Sequence, residues 1–302
     1  MDQFMFLFTL SIFILTLIIW GFKTLPKEKW QIMAVLPKEK SLHGKWEGLN
    51  LTYYGLLCAN AYTFAVIIFF ILGASAKIPL PLLCLLILLI LALCMPASKI
   101  VAKLVEKKTG TLTVGGAVFI GILISPWLVS FINLTLGRVY LFTINVTIFL
   151  SALCVAYAYA SGLEGEKVIP VQIITAGLYS VTALAGTWLF LNGYYAAAFL
   201  ESLIVTQVWR FVSEFFRADF RGGLKITPYQ LMALGGIAYS LIVVLMFPAP
   251  ADLPGLHLGL HALWNPWMIF LIESIWAAAF FHTGRSVVTG AEISFHVNES
   301  NI

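Results

Sequence analysis

Long apolar runs separated by brief polar punctuation organise almost the whole chain. A bilayer-crossing helix needs about 20 mainly apolar residues. Nine segments approach that length: 3–20, 51–73, 79–98, 114–132, 139–161, 170–191, 194–213, 229–247 and 265–281. The sixth and seventh are divided only by Asn192-Gly193, which predicts a tight helical hairpin. The longest polar stretch runs from Lys23 to Asn50, so no soluble domain fits between any two spans. The pattern predicts an all-α integral membrane protein of about nine transmembrane helices, forming a single polytopic domain over residues 1–302.

Composition sharpens that reading. Hydrophobic residues make up 61% of the chain and Asp, Glu, Lys and Arg only 11%, against about 45–50% and about 25% in an average globular chain. A mean hydropathy of +0.95 leaves too little polar surface for a soluble particle. Disordered, collagenous and disulfide-scaffold classes are excluded on the same grounds. Asp2 precedes the first span and lysines only follow it, the reverse of a secretory signal, which predicts a retained helix. Cys58, Cys84, Cys94 and Cys154 all fall inside apolar spans without a C-x-x-C pattern, as packing residues do. No basic cluster is joined to a polar domain able to present it, so nucleic acid is not an expected partner.

The net charge of +4 carries an orientation signal. Loops 1, 3, 5 and 7 hold fourteen lysines and arginines, while the even loops hold only Lys77 and Arg138. By the positive-inside rule the odd loops and the C-terminal tail face the cytoplasm and the N-terminus lies outside.

Ionisable side chains at membrane depth are costly and are functional candidates by default. The densest group lies where the seventh span meets its loop, in Trp209-Arg210-Phe211-Val212-Ser213-Glu214-Phe215-Phe216-Arg217-Ala218-Asp219. Arg210, Glu214 and Arg217 stand at i, i+4 and i+7, on one helical face. Two guanidiniums around one carboxylate leave spare donors that match phosphate oxygens, as a phospholipid head group would require. The plainer reading is a juxtamembrane anchor with a structural ion pair. Glu201 is deeper and points to the opposite face from Arg210. Glu273 lies in the last span, where Arg138 or Arg285 is a candidate partner. His257 and His261 have metal-ligand spacing if helical, but Gly259 lies between them, Pro254 precedes them and the loop offers no third ligand. His43 and His282 are acid–base candidates that no motif places.

The run Arg210-Phe211-x-x-Glu214-Phe215-Phe216-Arg217-x-Asp219, followed by Ile226-Thr227-Pro228-Tyr229-Gln230-Leu231, resembles the late part of bacterial prolipoprotein diacylglyceryl transferases. Tyr53-Tyr54-Gly55-Leu56-Leu57 is similar to that family's W-Y-G-L opening. Val114-Gly115-Gly116 and Pro170-x-Gln172 stand where it has H-G-G-L-I-G and H-P-S-Q-L-Y-E. The matches keep the family's order over residues 51–247. Val114 replaces the family histidine, and the G-R-x-G-N-F signature has only Gly137-Arg138-Val139-Tyr140-Leu141-Phe142 as a counterpart.

The resemblance implies a seven-helix transferase-like core over 51–247 with one extra span on each side, in 1–50 and 248–302. It implies a multi-pass enzyme of the bacterial inner membrane that moves a diacylglyceryl or related lipid group from a glycerophospholipid such as phosphatidylglycerol to an acceptor. A lipoprotein-precursor cysteine is the family's acceptor. Arg210 and Arg217 would grip the phosphate and Glu214 would orient Arg210, with Glu201, Tyr54 or His282 left to act as base. Arg138, Gln172, Gly115, Gly116 and Gln207 are the substrate-binding candidates. No cofactor or metal is implied. The family's E-F-F-R end faces outward, whereas the charge count puts Arg217 inside. A phospholipid transporter or scramblase, a non-catalytic lipid-binding paralogue, and a purely structural membrane subunit are the alternatives.

Overall fold

The computed structural model describes residues 2–24, 32–40, 46–104, 114–136, 146–161, 171–216, 226–247 and 252–285. The helices are α1 (Gln3–Ile19), α2 (Tyr53–Ser75), α3 (Leu80–Leu104), α4 (Val114–Leu136), α5 (Val146–Ser161), α6 (Val171–Leu191), α7 (Tyr195–Ser213), α8 (Pro228–Met246), α9 (Leu256–Ala262) and α10 (Pro266–Thr283). A π-helical turn, Trp20–Thr24, continues α1, and a 3-10 turn, Glu214–Phe216, continues α7. Each of the nine apolar segments therefore contains a helix. Two elements are additions to the expected all-α pattern: the short α9, and a hairpin of β1 (Ile32–Lys40) with β2 (Trp46–Thr52).

Among the described residues, four helices are long and apolar enough to cross a membrane: Gln3–Lys23, Tyr53–Ser75, Val171–Leu191 and Pro228–Met246. A fifth is added if α9 and α10, bent by 73° at a short break, form one span. The chain is a multi-pass helical membrane protein on this basis, and among the described residues four to five of the nine expected spans are met by length and composition. Leu80–Leu93, Phe119–Ile132 and Val146–Ala160 are shorter apolar stretches. Of the long helices α7 is the least apolar, because it carries Glu201, Gln207 and Arg210.

Contacts between helix ends fix the directions. At one end Gln3 Nε2 donates to Leu191 O (3.1 Å), Tyr195 OH to Asp252 O (2.8 Å), Thr147 Oγ1 to Phe247 O, and the Gly255 N–H to Ser75 O (2.8 Å). At the other end Trp209 Nε1 donates to Thr175 Oγ1 (2.7 Å), Gln230 Nε2 to Phe211 O (3.2 Å), and the Thr52 N–H to Gly284 O (3.0 Å). The first end thus gathers the starts of α1, α5 and α7 with the finishes of α2, α6 and α8. The second gathers the start of α2 with the finish of α10, the start of α6 with the finish of α7, and the start of α8. Helix directions alternate accordingly, and Lys23, Arg210 and Arg285 all lie towards this second end, called the basic end below.

The core is built on α2 and α5. From Val146 to Ala160 every residue of α5 is buried, which explains why that segment shows no polar stripe. Phe69 and Phe149 meet edge to face at 5.7 Å, and Phe190 meets Tyr195 at 5.0 Å. Ring pairs of this kind add about 1 kcal/mol beyond their buried area. Two glycines let chain segments close on α2. A Cβ on Gly55 would stand 2.1 Å from Gly284 Cα, and one on Gly259 would stand 2.2 Å from Ile71 O.

The hairpin was hidden in the polar stretch because Pro37 and the lysines interrupt its alternation. Pairing is antiparallel from Ile32↔Thr52 to Lys40↔Trp46, with irregularities at Ile32/Ala34 and Pro37/Glu39. Ala34, Leu49 and Leu51 pack with Ala59, Trp276 and Phe280, so one face of the hairpin covers the seam between α2 and α10. Leu51 also bridges to Arg285.

Candidate functional site

The loop before α8 ends in a capping box. Thr227 Oγ1 accepts from the Gln230 N–H (3.3 Å) while Gln230 Oε1 accepts from the Thr227 N–H (2.9 Å), and Pro228 occupies the first helical position. This fixes Tyr229 and Gln230, both buried, against the end of α7. Gln230 then spends its amide N–H on Phe211 O, tying the two helices together.

That anchoring brings the Tyr229 ring to Arg210, whose guanidinium carbon lies 5.3 Å from the ring centroid. Tyr157 of α5, Tyr179 of α6 and Glu214 at the end of α7 are also close enough to act on this cation electrostatically. Arg210 is thus within electrostatic reach of groups from four helices. Tyr179 OH donates to Thr206 O (2.9 Å), and the Tyr157 ring packs on Phe119 of α4 at 5.8 Å. The tyrosines are therefore held by their own packing. An arginine at this depth is expensive in bare hydrocarbon, and aromatic faces with phenolic oxygens lower that cost. The N–H donors of the guanidinium are the part suited to an anionic oxygen.

The sequence-derived residues divide clearly. Arg210 and Glu214, four residues apart, are close enough to act on one another electrostatically. Gln207, one turn earlier, is buried, its Nε2 3.4 Å from Thr206 Oγ1 and its stem beside Gly236 of α8. Gln172 lies in the first turn of α6, and its Nε2 is buried with no hydrogen-bond partner among the described residues. Gly115 and Gly116 open α4, and half-buried Tyr54 opens α2, packed on the core. Arg217 and Arg138 lie outside the described residues, as does His43.

Glu201 is not brought to Arg210. It precedes it by nine residues, a rise of about 14 Å, and its Oε2 lies 3.3 Å from Ser202 Oγ and beside Gly186 of α6. Glu273 is exposed on α10. Arg285, about 18 Å further along the axis, donates from Nε to Phe281 O (2.8 Å), so it is not the partner of Glu273. His257 and His261 are on a helix and both exposed, and among the described residues no three His, Cys, Asp or Glu side chains group as a metal site. His282 is exposed at the end of α10. Cys58 and Cys154 are buried free thiols and Cys84 is half-buried, as packing residues should be.

Sequence reasoning missed Tyr157, Tyr179 and Tyr229. Their signal is faint: they are scattered over three apolar helices, and Tyr159 stands two positions from Tyr157. The first two lie 22 and the last two 50 positions apart, so no spacing rule links them. Compared with known proteins, the chain matches no family, and no curated protein or solved structure is detectably similar to it.

Proposed function

We propose that this protein is a membrane-embedded transferase that takes a diacylglyceryl or related lipid group from a glycerophospholipid, with phosphatidylglycerol as the donor implied by the resemblance of its Arg210–Asp219 run. The observation that carries the reading is the placement of Arg210 at the basic end of the bundle, beside the Tyr229 ring and within electrostatic reach of Tyr157, Tyr179 and Glu214. A cation held there, with its several N–H donors, is suited to the phosphodiester of a head group. In the reaction Arg210 would stabilise charge developing on the leaving phosphate, and Glu214 would hold Arg210 in register. The acceptor is a thiol such as a lipoprotein-precursor cysteine, or a hydroxyl group. The setting that goes with this reading is the bacterial inner membrane.

One observation favours a second reading. Among the described carboxylates only Glu214 acts on Arg210, while Glu201 sits against α6. A site that grips a phosphate without a dedicated base suits a phospholipid-binding or transporting protein. The two readings part on head-group release. Purified protein is incubated with head-group-labelled phosphatidylglycerol, with and without a cysteine-bearing acceptor peptide. Release of glycerol phosphate that is lost in Arg210→Ala supports the transferase. Binding that depends on Arg210, without release, supports the second reading. Turnover and binding unchanged in Arg210→Ala would overturn both.

A further inference from the structure

Asn265 stands between two helices and separates them. Its Oδ1 accepts from the Trp267 N–H (3.0 Å) to cap α10, and Pro266 takes a position in the first turn. The Trp264 and Asn265 N–H groups donate back to His261 O (3.1 Å) and Ala262 O (3.2 Å), which closes α9. The two helices meet at 73°. α10 runs antiparallel along α2, since Trp276 Nε1 donates to Asn60 Oδ1 (2.8 Å) and Gly284, just past its end, closes on Gly55 at the start of α2. α9 therefore lies across the bundle rather than along it. It sits on the last turn of α2, where the Gly255 N–H donates to Ser75 O (2.8 Å) and Gly259 closes on Ile71 O.

The side of α9 turned to the bundle is apolar: Leu256 and Gly259 are buried. What remains outside is mixed. Leu258, Trp264 and Trp267 are 39%, 79% and 80% exposed, and His257, His261 and Asn265 are exposed beside them. Hydrocarbon would strand the polar three and water the apolar three. Only the boundary between the two suits both sets, and it is where indole rings, apolar in body with one polar N–H, collect in membrane proteins. The four helices long and apolar enough to cross a membrane, α1, α2, α6 and α8, all have an end at this level, which places a leaflet surface there.

We infer that α9 and the Trp264–Trp267 corner form a lipid-binding surface in the head-group layer, its partner being the phospholipid leaflet at this end of the bundle. An interfacial helix lies about 5–10 Å into the boundary between head groups and acyl chains. At that depth Leu258 and the two indoles meet the first chain carbons. The imidazoles of His257 and His261, four positions apart on one face of α9, meet the phosphate and glycerol oxygens. α9 thus adds no length to α10; it holds the start of α10 at the membrane surface. This surface is at the opposite end of the bundle from Arg210, and the inference does not depend on the proposed reaction.

The test uses the full chain in nanodiscs of phosphatidylcholine and phosphatidylglycerol, which leave both membrane faces open. The fluorescence lost when Trp264→Phe and Trp267→Phe are combined belongs to those two indoles. It is expected to be quenched more by lipids brominated near the head group than by lipids brominated near the chain end. Stronger quenching from the chain end, as in a broken span, would overturn the inference. So would no quenching by either lipid, as for a segment in water or beneath another protein. A second readout leaves the indoles in place. A water-soluble maleimide is expected to label His257→Cys but not Phe270→Cys, one turn into α10, with the unsubstituted chain as blank. Labelling of both, or of neither, would count equally against it.

Discussion

Helices α7 and α10 are of nearly equal length, and each carries a glutamate well inside it, yet the two are treated oppositely. Glu201 on α7 is set against α6 where Gly186 makes room, with Val155 of α5 on the same spot. Glu273 on α10 looks outward between aromatic side chains. Sequence context does not separate them, since both follow apolar residues and both precede a serine. The difference lies in how many neighbours the helix has. A helix packed on three sides can absorb a polar group internally, while a peripheral helix passes the cost to whatever lies beside it. The same contrast explains why the cation-holding site is on α7.

Substitutions that exchange the two situations test this contrast. The largest effect is expected for Gly186→Leu, because a Cβ alone would approach Ser202 Oγ to 2.4 Å and Val155 Cγ2 to 3.0 Å. Overpacking of this kind costs about 3 kcal/mol, read as a fall in thermal unfolding temperature in detergent. Tyr229→Leu removes the ring facing Arg210 and should weaken head-group binding by about 1–2 kcal/mol, roughly tenfold in a titration with labelled phosphatidylglycerol, with the fold intact. Thr227→Ala breaks the capping box that positions Tyr229 and should cost about 1 kcal/mol of stability, with a smaller drop in the same binding. Glu273→Leu should leave unfolding unchanged within about 0.5 kcal/mol. A large destabilisation there would mean that α10 is not peripheral.

The apolar runs were enough to locate every long helix, because burial in lipid or among helices demands the same continuous hydrophobicity. Of the nine expected spans, four or five stand by length and composition among the described residues, and α7 is diluted by its polar residues. The hairpin escaped because its register depends on Leu49 and Leu51 finding the α2–α10 seam, a contact over 220 residues long in sequence. Of the site, the pair Arg210 and Glu214 was visible through helical periodicity. The tyrosines around it come from three other helices, and only folding brings them to one place. Glu201 was legible as lying on another face from Arg210, but its seat beside Gly186 was not.

The two close approaches on α2 bear on the order in which the protein is made. Gly284 meets the beginning of this helix and Gly259 its end, yet both are synthesised roughly two hundred residues after it. Until the ribosome has released them, the groove along α2 stands open and the hairpin lacks the strand-like partner at Arg285. Contacts separated so far in sequence form late. The central helix of the nascent chain therefore waits longest for its partners, and α10 is the clasp that closes over it.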